Sequence, residues 1–212
     1  MAIARIASYP LPAEDQIPAP RVPWKLEASR AALLIHDMQE YFVAVLEPGS
    51  ALVTQLTENI RRLASECRRL GIPVFYTAQN GDQLRCDRGL QADFWGPGMS
   101  SAPSHQAIIP ALAPQPGDIQ MVKHRYSAFQ RSHFADQLRV RGRDQLIICG
   151  VYAQIGCQLT AADAFQRDIE PFLAADAVAA YSQEKHHEAI AYVAHCCGVT
   201  LSTQAILNAL AN

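Results

Sequence analysis

Asp37, Gln79 and Lys123 each stand immediately after an apolar run, and a fourth run ends in the turn Gly150 to Gly156. A carboxylate, a lysine and a glycine-containing turn at strand ends form the layout in which Asp and Lys activate a cysteine at a helix N-terminus; the thiol that follows that turn is Cys157. Other chemistries lack their signatures. No G-x-G-x-x-G follows the first run and no G-x-x-x-x-G-K-[ST] occurs, so a nucleotide has no cradle and no cofactor is expected. The seven histidines form no H-E-x-x-H and no His/Cys cluster at zinc spacing, so no metal is expected. The six cysteines contain no C-x-x-C and fit no common disulfide framework, which makes them reduced, mostly buried thiols. Eighteen Lys and Arg against 20 Asp and Glu are too balanced for a nucleic-acid or anionic-membrane partner. No apolar stretch has the length of a signal peptide or a membrane span, so the chain reads as cytoplasmic.

The elements that must position these residues follow from the hydrophobic pattern. Ala31 to Ile35 is a continuous apolar run of the kind a sheet covered on both faces buries, and it ends at His36-Asp37. From Ser50 to Leu70 the residues Leu52, Leu56, Ile60, Leu63, Cys67 and Leu70 recur at spacings of four and three, an amphipathic helix closed by Gly71 and Pro73. Pro73 to Ala78 completes a βαβ unit. Strands are predicted over 118–122, 145–149, 172–175 and 199–202, and helices just after Pro103 and over 130–141, 154–167, 184–197 and 204–210. His186 and His187, in the first turn of one such helix, are expected to be solvated. Half the residues are hydrophobic, enough for one domain over residues 1–212 with an extended N-terminal arm over 1–30 and no carrier-protein domain. The fold class is α/β: a Rossmann-like three-layer α/β/α sandwich around a parallel six-stranded sheet with right-handed crossovers. In such sheets ligands bind beyond the carboxyl ends of the strands, which brings Asp37, Gln79, Lys123 and the 150–156 turn together.

HDMQEYF at 36–42, YTAQ at 76–79, DFWGPG at 93–98, VKHRYSAF at 122–129 and GVYAQIGC at 150–157 resemble, in order and over nearly the whole chain, the isochorismatase-family hydrolases. In the amidohydrolase branch of that family the nucleophilic cysteine lies six residues after the glycine of the fourth strand end, where this chain has Gly156. Glycine there is the mark of the isochorismatases and of the phenazine-pathway enzymes acting on 2-amino-2-deoxyisochorismate. The resemblance implies hydrolysis of a vinyl ether to pyruvate and a ring alcohol, in siderophore, phenazine or antibiotic synthesis, without a covalent intermediate. It assigns Asp37 as general acid, Lys123 as the family's lysine, and Gly156 as room for a bulky ring. Gln79, Arg88 and Tyr152 match positions lining the substrate pocket, Phe42 and Trp95 match its apolar walls, and Arg88 would clamp a carboxylate of the small dicarboxylate substrate. The chain departs from the pattern where His124 replaces Trp and Gln154, expected at the substrate, replaces His. The family further implies a homodimer.

An ordinary Asp titrates near about 3.9, and a neighbouring ammonium lowers that value. Holding the acid's proton near neutrality therefore needs roughly 3 kcal/mol, which a dianionic substrate closed into an apolar pocket can provide. Two rival readings stand beside this one. The first is an amidohydrolase using Cys157, although a one-residue offset on a helix turns that side chain by about 100°. The second is a catalytically silent binding subunit, suggested by His124 and Gln154.

Overall fold

The computed structural model describes residues 4–211; the first three residues of the expected arm and Asn212 lie outside the described residues. Six strands, β1 (Ala31–His36), β2 (Val74–Ala78), β3 (Ile119–Val122), β4 (Gln145–Val151), β5 (Glu170–Ala179) and β6 (Val199–Leu201), form one parallel sheet in the order β3-β2-β1-β4-β5-β6. The order reverses between β1 and β4, both buried along their whole length. That reversal opens a crevice at their carboxyl ends.

The helices are α1 (Glu40–Val43), α2 (Ala51–Arg69), α3 (Arg85–Arg88), α4 (Gln91–Trp95), α5 (Pro103–Gln106), α6 (Phe134–Arg139), α7 (Gln158–Phe165), α8 (Gln183–Cys196) and α9 (Thr203–Leu210). Alternation along β1 divides the core. Leu33 and Ile35 pack with Leu52, Leu56, Ile60 and Leu63 of α2 and Ile206 and Leu210 of α9. Ala32 and Leu34 face the opposite layer, with Phe134 and Leu138 of α6, Ala161 and Ala164 of α7 and Ile190 and Val193 of α8. Ser50 caps α2 by accepting from the Val53 N–H, and Gly71 closes it in the left-handed region (φ +69°).

Four expectations differ from the structure. The segment 154–167 opens as a π-helical turn, Ala153–Cys157, before α7 begins. The helix expected over 130–141 shortens to α6: Arg131 takes a left-handed φ of +56°, and the Ser132 hydroxyl donates to the Ala128 carbonyl. Strand β5 runs ten residues because a register shift lets Val178 and Ala179 pair with Gly150 and Val151. His186 is 1% exposed, not solvated. The arm covers it: the Tyr9 hydroxyl lies 3.1 Å from its Nδ1, and its Nε2 lies 2.8 Å from the Ala175 carbonyl.

Candidate active site

At the crevice β1, β2 and β4 end level, with His36 in register with both Thr77 and Gly150. Asp37 then adopts a left-handed backbone (φ +49°), a region open chiefly to glycine and short polar residues, and this bend turns its carboxyl group across the strand ends. Its N–H donates to the Thr77 hydroxyl (3.1 Å). Its Oδ1 accepts from that hydroxyl at 2.7 Å, and its Oδ2 accepts from Lys123 Nζ at 2.8 Å and from Gln79 Nε2 at 3.3 Å. Asp37 and Lys123 are each 4% exposed. Burial alone would raise the Asp37 carboxyl, but the facing charge of Lys123 and the Lys123 and Thr77 hydrogen bonds hold it below the usual carboxylate range. In the resting protein it is therefore a carboxylate.

This carboxylate lines the cavity at the crevice. Phe42, Trp95 and Tyr152 supply aromatic walls, joined by Tyr41, Tyr126 and Tyr181. The Tyr152 hydroxyl donates to the Phe42 carbonyl at 2.6 Å, and burial drives the phenol far above its ordinary value, so it orients the ring and is no proton source. Trp95 is held by its indole N–H, which donates to the Tyr126 hydroxyl at 2.7 Å. Arg88 is 6% exposed, donates from Nε to the Gly96 carbonyl at 2.6 Å, and pairs with no acidic side chain among the described residues. A buried guanidinium without an anionic partner has free donors with which it can bind a carboxylate. Gly98, at φ +84°, makes room for it: a Cβ there would lie 2.6 Å from the Arg88 Cζ.

Arg88, Gln91, Trp95, Gly98 and Met99 all come from the segment between β2 and β3, which covers the cavity. One fully buried side chain pins both ends of that cover. Gln39 Nε2 donates to the carbonyls of Gln79 (2.9 Å) and Gln106 (2.8 Å), and its Oε1 accepts from the Gln79 N–H (2.7 Å).

The structure thus brings Asp37, Lys123, Gly156, Phe42, Gln79, Arg88, Trp95 and Tyr152 to one cavity. Gln154 is not among the lining residues; its amide oxygen and nitrogen are buried without a hydrogen-bond partner, as is His124 Nδ1. Gly156 differs from the expectation of room for a ring, because the space a Cβ would take there is filled by the His36 imidazole. Cys157 packs in the core on the α6–α8 side, fully buried, and burial pushes its thiol far up. A thiol so placed is a poor nucleophile. Sequence reasoning missed His36, Tyr41, Gln91, Met99, Tyr126 and Tyr181 as wall residues. His36, Tyr41 and Tyr126 lie inside the stretches that carry the family resemblance; Tyr181 has no local signal at all.

The isochorismatase domain model matches residues 31–205. An isochorismatase of Bacillus subtilis (strain 168) is 49% identical over 212 residues, covering 100% of this chain and 68% of that protein. Enterobactin synthase component B of Escherichia coli (strain K12) is 46% identical over 209 residues, 99% of this chain and 73% of that one. Phenazine biosynthesis protein PhzD of Pseudomonas fluorescens is 44% identical over 205 residues, 97% and 98% of the two chains. Among solved structures, an isochorismatase family protein from Burkholderia thailandensis superposes with a TM-score of 0.76 at 25% identity, covering 87% of this chain and 97% of its own. With the match spanning the strand ends that carry Asp37, Lys123 and Gly156, the chain belongs to the isochorismatase family.

Proposed function

We propose that Asp37 is the general acid with which this chain, an isochorismatase-type hydrolase, cleaves the enolpyruvyl ether of isochorismate or of its 2-amino-2-deoxy analogue. The observation that carries the reading is a buried carboxylate gripped by Lys123, Thr77 and Gln79 in the same cavity as the anion-free guanidinium of Arg88. The relatives named isochorismatase and PhzD support the reaction class. Asp37 donates its proton to the terminal enol carbon, and the ether oxygen stabilises the cation left on the adjacent carbon. Water adds to that carbon and returns a proton to the carboxylate. The hemiketal then collapses to pyruvate and the ring alcohol, with one water consumed. Because Asp37 is ionised at rest, its proton arrives with the substrate: two added carboxylates and the loss of water from an aromatic cavity both favour the neutral acid. Arg88 takes one carboxylate of the substrate.

The test is pyruvate release from isochorismate by the wild type, Asp37→Asn and Cys157→Ala. Loss in the Asp37 variant with activity retained in the Cys157 variant supports acid catalysis. A trapped thioester, full turnover by Asp37→Asn, or no pyruvate from the wild type overturns it. The same reading takes the chain as a cytoplasmic homodimer acting on a small dicarboxylate without a cofactor. The unpaired cysteines accord with a reducing compartment, and among the described residues no helix is long and apolar enough to cross a membrane. The exposed Leu84, Leu90 and Phe94 of the cover accord with a face that a second copy buries, which sedimentation reads directly.

A further inference from the structure

A Cβ built on Gly156 overlaps Cε1 of His36 and falls 2.6 Å from its Nε2 and 3.0 Å from its Nδ1. The ring cannot swing aside cheaply. It is 1% exposed, its Nδ1 sits 2.7 Å from the Val151 carbonyl, and its Nε2 sits 3.3 Å from the Tyr126 carbonyl. His36 therefore braces three strand ends at once: its own on β1, the loop after β3 through Tyr126, and the end of β4 through Val151. Its Nδ1 is also 3.8 Å from Asp37 Oδ2, so displacing the ring disturbs the packing on one flank of the acid.

We propose that His36 is the positioning and specificity-determining residue that closes this site to nucleophilic catalysis: its imidazole fills the volume that any side chain at 156 would need. Gly156 then answers to His36 and not to the size of the substrate. A chain carrying this histidine cannot place a thiol at 156 without first expelling the ring, and the site is left to acid chemistry. Acid chemistry is the reading proposed above; the packing of the pair stands apart from it, and melting reads the packing alone.

The experiment is a cycle of four proteins: wild type, Gly156→Ala, His36→Val and the double variant, with His36→Ala as a second background. In the presence of His36, Gly156→Ala is expected to lower the melting temperature by about 5 °C, as overpacking of a buried site does, and to cut kcat/KM by about tenfold or more. In either His36 variant the same substitution is expected to leave the melting temperature within about 1 °C and KM within about twofold. Equal losses in all backgrounds, or a rise in KM on Gly156→Ala that does not depend on His36, would mean that the glycine serves the substrate, and the proposal falls. If neither His36 variant folds, a crystal structure of Gly156→Ala decides: a displaced ring supports the proposal and an unmoved ring overturns it. If the wild type releases no pyruvate, the melting cycle still decides, so the two readings fail separately.

Discussion

Replacing Gln39 by Leu, a change close in volume, removes three hydrogen bonds of 2.7, 2.8 and 2.9 Å that tie the two ends of the cover to the end of β1. With the cover shut, the Gln79 N–H and the carbonyls of Gln79 and Gln106 lose these partners. Each such group costs about 1–3 kcal/mol when buried, and opening to water relieves that cost. At a net value of about 1 kcal/mol per bond, the shut arrangement loses roughly 3 kcal/mol, or about 100-fold in its ratio to the open one. Because Arg88 and Trp95 ride on the cover, the apparent affinity falls with the shut fraction, so KM rises by up to about 100-fold. At saturation the substrate itself holds the cover shut, and kcat falls far less. Pyruvate-release kinetics give the split, and hydrogen exchange over residues 79–107 reads the opening independently. Unchanged exchange in that segment, or a fall in kcat with KM untouched, would refute the reasoning.

Arg88→Met leaves an incoming carboxylate unpaired in a desolvated cavity, which costs about 2–5 kcal/mol, so kcat/KM should fall by about 30-fold or more in steady-state assays. In the proposed acid role Asp37 acts protonated, and its carboxyl is held low in the free protein, so kcat/KM should decline as pH rises out of the acidic range. The substrate's charge raises that carboxyl in the complex, so the kcat limb should lie at higher pH; superimposed limbs would sink the acid role. His186, lowered by burial from 6.5 to about 4, binds its proton more readily unfolded than folded. Its contribution to stability is full above about 6.5 and is lost as pH falls toward about 4, a difference of about 3 kcal/mol that denaturation of His186→Gln at several pH values should flatten.

Much of this site is legible from residue order because strands of a parallel sheet deliver their chemistry where they stop. Asp37 and Lys123 each follow an unbroken or edge-strand apolar run, and the sheet carries them to within 2.8 Å of each other. The short helices α1, α3 and α4 escape a periodicity argument, since four or five residues hold barely one turn. The second half of β5, Asp176-Ala177-Val178-Ala179, falls outside the strand expected over 172–175, since aspartate and alanine are poor strand formers, and the register shift against β4 accounts for its pairing. His186 looked solvated because a polar first turn usually is; the Tyr9 contact 177 positions away decides otherwise. Gln39 and His36 share that difficulty, as their partners at 79, 106, 126 and 151 come together only through the fold.

The hydrogen bond from the Trp95 indole to the Tyr126 hydroxyl has a spectroscopic consequence. The chain has two tryptophans, and the other, Trp24, lines a separate surface groove with Pro20 and Ala209. In a Trp24→Phe protein all indole emission would come from a ring on the cavity wall, 6.4 Å from the Tyr181 ring and fixed by one neighbour. Occupancy of the cavity would then be visible as a change in emission wavelength or yield, giving a dye-free titration of ligands that are bound but never turned over.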